Sequence, residues 1–293
     1  MGETDTLRPD SVRVAVLQFD VLRGQPQKNL ERVLAGLEQA AERGAQLLVL
    51  PEMWATSFAA AGGPFGSAQA QAAAIQATCE VQRLAGTAAA RLGLALVGSG
   101  FGPESHCGRP PNRLTWQEGG QVRLAYDKVH RFGPTGEPLA FARGCEPPQP
   151  LAWRGLLAAG VVCYDLRFGP LFEELLVAGV ELLCVPCQWP TPRQSHLEAL
   201  ARGRAVELQA FVVVANRCGR ESLGRRGRWL EFGGGSLILG PDGQPLAQAG
   251  DGEGLIWADL DPERARELRR QVPVRADWAG PDYARWRGRR GDA

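Results

Sequence analysis

Four apolar runs, each too short for a core helix, set the strongest limit on the fold of this chain. They lie at residues 12–19, 46–50, 181–186 and 211–215. A largely apolar run of four to eight residues reads as a strand buried on both faces, since a half-buried strand alternates. Residues 29–43 separate the first two runs and carry Leu30, Val33, Leu34, Leu37 and Ala41 at helical spacing, which makes one apolar stripe. Residues 195–209 form a helix between the last two. Strand, helix and buried strand is the βαβ beginning of a sheet covered by helices, so the fold class is α/β.

The alternation continues through an Ala-rich helix at 69–92, a strand at 94–98, a strand at 156–163 ending on Cys163, and a helix at 170–178. Two hairpins interrupt it. One joins 113–117 to 121–126 around Glu118-Gly119-Gly120, and the other joins 236–239 to 245–249 through Pro241-Asp242-Gly243, both with turn chemistry at the bend. Residues 100–111 and the Gly/Pro-rich stretch after Lys128 read as loops. Strands spread over all 293 residues with no linker between them predict a single domain (1–293) with two sheets, a core of about 12–262 and a C-terminal arm at 263–293. From Val274 that arm holds Trp278, Trp286 and five arginines with little periodicity, which fits a surface-lying segment or one packed on a partner subunit.

Composition removes several classes of function. The chain is 44% apolar and 22% charged with a net charge of +1, which supplies no field for nucleic acid or an anionic membrane. No apolar run reaches the roughly 20 residues of a membrane span, and Met1 to Asp10 lacks the apolar core of a secretory signal, so a cytoplasmic protein is expected. Seven cysteines, an odd number, read as reduced thiols, one of which is a candidate for reactivity. Of 33 basic residues only Lys28 and Lys128 are lysine. In an arginine-rich chain a retained lysine points to a compact ammonium that a planar guanidinium cannot imitate, although Lys28, in a polar stretch, carries no such meaning.

Three positions could carry chemistry. Cys163 follows Gly160-Val161-Val162 and precedes a helix, the place of a nucleophile held at a sharp strand-to-helix turn beside backbone N–H groups; a buried strand thiol acting as a small hydrophobe is the competing reading. Glu52 follows Leu47-Leu48-Val49-Leu50-Pro51, beyond the C-terminal end of a buried strand where catalytic groups gather, or caps that end. Lys128 closes the strand that contains Tyr126, with His130 two residues on, and competes with an ordinary exposed lysine.

Together these stretches resemble a known family. Leu48-Val49-Leu50-Pro51-Glu52-Met53-Trp54, Tyr126-Asp127-Lys128-Val129-His130 and Val162-Cys163-Tyr164-Asp165-Leu166-Arg167-Phe168 are similar to the Glu, Lys and Cys motifs of the nitrilase superfamily, in the same order. The resemblance extends to Gln188-Trp189-Pro190, to residues 201–207, to Ala215-Asn216-Arg217 and to the hairpin at 235–247, covering about residues 12–262. It implies a four-layer αββα sandwich with two mixed sheets, often paired across subunits as a homodimer or larger homo-oligomer. It also implies hydrolysis of a non-peptide carbon-nitrogen bond with no metal or organic cofactor, Glu52 acting as general base, Cys163 as nucleophile, and Lys128 with the Tyr164 N–H as oxyanion donors. Many members have a second glutamate on the loop after the lysine, which Glu137 matches and for which Glu146 is the alternative.

Within the superfamily the Cys-Tyr-Asp-Leu-Arg-Phe run looks most like the ω-amidase branch, which releases ammonia from amides of short 2-oxo dicarboxylic acids. Tyr164, Arg167, Cys187 and Trp189 are the expected substrate contacts, with Arg167 able to grip a carboxylate bidentately or to pair structurally with Asp165 or Glu173. Gly169 and Leu197 stand where relatives usually have proline and tryptophan. Deaminated glutathione or an N-carbamoyl compound is the alternative substrate, and a binding protein without turnover is the reading from another class. Cys184-Val185-Pro186-Cys187 has redox spacing but continues a strand. Gly98-Ser99-Gly100-Phe101-Gly102 opens no helix for a phosphate, and His106, His130 and His196 are too dispersed for a metal site.

Overall fold

The computed structural model describes residues 11–60, 68–103, 105, 107–222, 229–280 and 282–283. Its first sheet draws on β1 (Val12–Gln18), β2 (Leu47–Val49), β3 (Ala95–Phe101) and the hairpin of β4 (Asn112–Glu118) and β5 (Gln121–Asp127). A second sheet draws on β6 (Leu151–Trp153), β7 (Leu156–Gly160), β8 (Leu182–Cys187) and β9 (Phe211–Asn216). A two-stranded ribbon follows, β10 (Cys218–Ser222) with β11 (Trp229–Gly233), then β12 (Leu237–Leu239) and β13 (Pro245–Gln248), which join the second sheet. The last strand, β14 (Gly254–Leu260), returns to the first. The orders are β14-β1-β2-β3-β4-β5 and β13-β12-β9-β8-β7-β6. Both sheets mix parallel pairs in the centre, such as β1 with β2 and β8 with β9, with antiparallel pairs at the flanks.

Alternation along the strands makes the layers. Val12, Val14 and Val16 of β1 enter one apolar cluster with Leu182, Val185, Val212 and Val214 of the facing sheet. Ala15 and Leu17 point the other way, against α1 (Pro26–Glu42) and α2 (Ala68–Arg91). After the single-turn α3 (Glu137–Ala140), α4 (Pro170–Ala178) and α5 (Gln194–Leu208) cover the outer face of the second sheet, and α6 (Pro262–Gln271) and α7 (Val274–Asp277) follow β14. The order is helix, sheet, sheet, helix. Each large apolar side chain removed from water contributes roughly 1.5–3 kcal/mol, so the double interior dominates stability.

Several elements depart from the sequence reading. The strand expected at 94–98 runs on to Phe101, and its glycines serve close approach: a Cβ at Gly98 would lie 2.8 Å from the Trp54 ring, and one at Gly100 2.1 Å from the Gln82 amide. The strand expected to end on Cys163 stops at Gly160, because the Val162 N–H is taken by the Asp165 carboxylate at 3.2 Å instead of continuing the ladder. In the arm, Val274 and Trp278 pack against the main core. The N-terminal segment 1–10, His106 and Trp286 lie outside the described residues.

Candidate active site

The ends of four strands meet where the two sheets face each other. β2 delivers Glu52, β5 delivers Lys128, β7 leads into Cys163, and β8 ends on Cys187. One backbone bond stitches the sheets here, Glu52 N–H donating to Cys187 O at 3.3 Å. Cys163 begins a short 3₁₀ turn with φ of +48°, and Met53, directly after Glu52, has φ of +46°. A side chain in this left-handed region is strained by about 1–3 kcal/mol and persists only where its surroundings fix it.

Lys128 is fully buried between two carboxylates. Its Nζ lies 2.7 Å from Glu52 Oε1 and 2.9 Å from each oxygen of Glu137. Glu137 also accepts the Phe132 N–H at 3.0 Å, which anchors the loop onto the lysine. Asn112 donates from Nδ2 to Glu52 Oε1 at 2.8 Å, and Gln188 donates from Nε2 to the Glu52 carbonyl at 2.7 Å. Glu146, the alternative second glutamate, is exposed.

A cavity of about 320 Å³ opens onto this cluster, lined by Glu52, Glu137, Cys163, Tyr164, Arg167 and Trp189, with Phe58, Phe132, Phe141 and Phe232 among its apolar walls. Cys187 is not among the lining residues; it is wholly buried, close enough to act electrostatically on the Cys163 thiol. The Arg167 guanidinium lies 5.0 Å from the centre of the Trp189 ring and 3.1 Å from His196 Nδ1. Asp165, considered as its partner, is occupied by Tyr126, His130 and Val162. The Trp189 backbone is set by Asn216, whose Oδ1 accepts its main-chain N–H at 2.7 Å and whose Nδ2 donates to its carbonyl at 3.3 Å.

A family model described as carbon-nitrogen hydrolase matches residues 13–270. This chain belongs to the carbon-nitrogen hydrolase family. Among its relatives, the 2-oxoglutaramate amidase of Bacillus subtilis (strain 168) is 28% identical over 89% of this chain and 95% of that protein. The omega-amidase YafV of Escherichia coli (strain K12) is 30% identical over 85% and 89%. A solved structure of a double mutant of the amidase from Nesterenkonia sp. AN1, in complex with acrylamide, superposes with a TM-score of 0.81 at 29% identity, covering 95% of this chain and 98% of that one. Another mutant of that amidase, with covalent addition of the acetamide moiety of fluoroacetamide at its active-site cysteine, gives 0.80 at 29% identity, covering 96% and 99%. The expected nitrilase-like sandwich and family membership are thereby established, and the protein is a cysteine-dependent amidohydrolase acting on carbon-nitrogen bonds other than peptide bonds.

In this carbon-nitrogen hydrolase, electrostatics explains why the cluster is tolerable. Burial opposes charge on Lys128, yet Glu137 and Glu52 outweigh it and hold the ammonium well above its ordinary pKa. Burial raises the Glu137 carboxyl from 4.5 to about 6 against the pull of Lys128. Cys163 is pushed well above the ordinary thiol value by burial, by the neighbouring Cys187 and by the negative charge of Glu52. A resting thiol next to a carboxylate suits general-base deprotonation coupled to attack, not a preformed thiolate.

The sequence reading brought Glu52, Lys128, Glu137 and Cys163 to one cluster and Tyr164, Arg167 and Trp189 to its mouth. Asn112 is absent from that reading, and Asp165 enters it only within the cysteine motif and as a candidate partner of Arg167. Asn112 carried a usable signal, since a hairpin centred on Glu118-Gly119-Gly120 puts it across from Lys128.

Proposed function

We propose that Cys163 attacks the carbonyl carbon of a small amide, with Glu52 taking the thiol proton. The oxyanion gathers on the Tyr164 N–H and on Lys128. Glu137 takes two of the three oxygen contacts to the ammonium, and one bifurcated N–H serving both frees a proton of Lys128 for the substrate. Glu52 returns its proton to the departing ammonia, leaving a thioester. It then deprotonates water, whose attack on the thioester carbon expels the Cys163 sulfur; the sulfur takes that proton back from Glu52 as the acid is released, which restores the resting thiol and carboxylate. The observation that carries this reading is the buried Lys128 ammonium held between Glu52 and Glu137 at a cavity that Cys163 lines.

The substrate read from this mouth is the ω-amide of a short 2-oxo acid. Arg167 has a cation's full charge at the cavity with aromatic rings and a histidine for neighbours, and a carboxylate offers it a bidentate partner. The names of the amidases from Bacillus subtilis and Escherichia coli point the same way. Residence in the cytoplasm and assembly as a homodimer or larger homo-oligomer belong to the same reading. Half-exposed Val177 on α4 and Val206 on α5 offer apolar surface for assembly, which sedimentation would test.

The test is ammonia release from 2-oxoglutaramate, 2-oxosuccinamate, glutamine, deaminated glutathione, N-carbamoyl amino acids and simple nitriles, with native protein beside Cys163→Ser. Turnover of the 2-oxo amides that vanishes in the variant is expected. Turnover confined to another amide would replace the substrate, and unimpaired turnover by Cys163→Ser would remove the nucleophile.

A further inference from the structure

Asn112 stands across the β4–β5 hairpin from Lys128. Arg113 pairs with Asp127 in that register, and the Lys128 N–H donates to the Asn112 carbonyl at 2.9 Å. Side chains directly opposite in an antiparallel pair leave the same face, so Asn112 reaches Glu52 beside the lysine. The two donors converge on one oxygen: Asn112 Nδ2 at 2.8 Å and Lys128 Nζ at 2.7 Å both bind Glu52 Oε1. Glu52 Oε2 has no hydrogen bond from any described residue, and Glu52 lines the cavity.

Asn112 holds this place at a disadvantage. It is 1% exposed, and its own Oδ1 has no hydrogen-bond partner among the described residues. An orphaned buried carbonyl is unfavourable, so stability alone does not account for an amide here. Turning the amide over would press that oxygen against the Glu52 carboxylate, which fixes the N–H end towards Glu52.

We propose that Asn112 is a positioning residue for the base: together with Lys128 it saturates Glu52 Oε1 and reserves Oε2 for the Cys163 proton, and later for the hydrolytic water. The inference rests on Glu52 being the base. Asn112 touches neither thiol nor substrate in this role, and its effect passes entirely through the orientation of one carboxylate.

The test is a double-mutant cycle read by two rates: kcat on 2-oxoglutaramate, and alkylation of Cys163 by iodoacetamide, located by mass spectrometry. In alkylation the Cys163 sulfur displaces iodide while its proton passes to the base. Asn112→Ala is expected to slow both about tenfold with little change in KM, and to slow alkylation less than about twofold when Glu52 is already Gln, since groups acting as one unit are not additive. Asn112→Leu keeps the approximate size, loses the donors without adding charge beside Glu52, and is expected to match the alanine variant, which covers a failure of the latter to fold. Native rates in both Asn112 variants, or losses that multiply in the Glu52→Gln background, would overturn the inference. Native alkylation by Glu52→Gln alone would instead overturn the base itself, a separate result.

Discussion

The Tyr126 hydroxyl donates to the buried Asp165 carboxylate at 2.9 Å, and this bond joins the strand that delivers Lys128 to the turn that delivers Cys163. Asp165 also accepts the His130 N–H and ring Nδ1, both at 2.9 Å, and the Val162 N–H at 3.2 Å. Tyr126 and His130 flank Lys128 at two residues on either side, so one carboxylate grips both sides of the lysine and the residue before Cys163. The His130 ring lies flat on Phe168 at 3.6 Å, which closes the same turn from outside.

Asp165→Asn supplies one acceptor oxygen where two are in use and turns an N–H towards other donors. A loss of about 1–3 kcal/mol in urea-unfolding stability is expected, together with a fall in kcat. Tyr126→Phe removes one bond only and should lose about 1 kcal/mol. Equal stability of native protein and Asp165→Asn would contradict the tie.

Lys128→Met leaves Glu52 and Glu137 buried without their shared cation. Breaking a buried pair in this way costs about 3–5 kcal/mol, and Lys128→Arg should not rescue it, since a planar guanidinium does not fit a wholly buried ammonium site. The sign with pH can be checked. In the methionine variant the carboxylates lose the cation that lowers them, so Glu137, about 6 with Lys128 present, takes up its proton at higher pH; the variant's deficit is largest at high pH and already shrinks before pH falls to about 6. Urea melts at both ends read this, and a deficit that does not change with pH would refute the charge argument.

Glu137, raised by burial to about 6, gains its proton within an accessible range. Protonation removes one of the two charges holding Lys128, so kcat is expected to fall as pH drops through about 6, in a step belonging to the coupled cluster. Glu137→Gln should be slower than native protein by about ten- to a hundredfold at pH 8, with that step displaced. A variant profile that superposes on the native one after scaling would assign the step elsewhere.

The main sheet strands and the catalytic motifs are legible in the sequence because burial on both faces writes continuous apolar runs, as at Leu47–Val49 and Phe211–Asn216. What escapes is set by other forces. The ribbon of Cys218–Ser222 and Trp229–Gly233 is partly exposed and charged and leaves no apolar run, while β14 is an edge strand with Trp257 open to solvent and only a short run at 255–258. Cys163 reads as the end of a strand because Val161 and Val162 are apolar, whereas the competing bond from Val162 N–H to Asp165 ends the ladder sooner. Asn112 and Asp165 act through contacts across strands, which a linear reading reaches only once a register is fixed.

On the proposed function, Arg167 is the lever on substrate choice. A bidentate guanidinium–carboxylate pair contributes about 1.5–3 kcal/mol, so Arg167→Leu should lower kcat/KM for 2-oxoglutaramate by roughly ten- to a hundredfold, chiefly through KM. Acetamide has no carboxylate, and its hydrolysis should change less than about twofold. Arg167→Lys retains the charge without the fork and should fall between the two. Arg167 also lies over Trp189 and beside His196, and a general loosening of the mouth on its loss would lower acetamide and 2-oxoglutaramate hydrolysis together. Steady-state kinetics on both amides separate the cases, and a parallel loss would sink the carboxylate assignment while leaving the Cys163 chemistry intact.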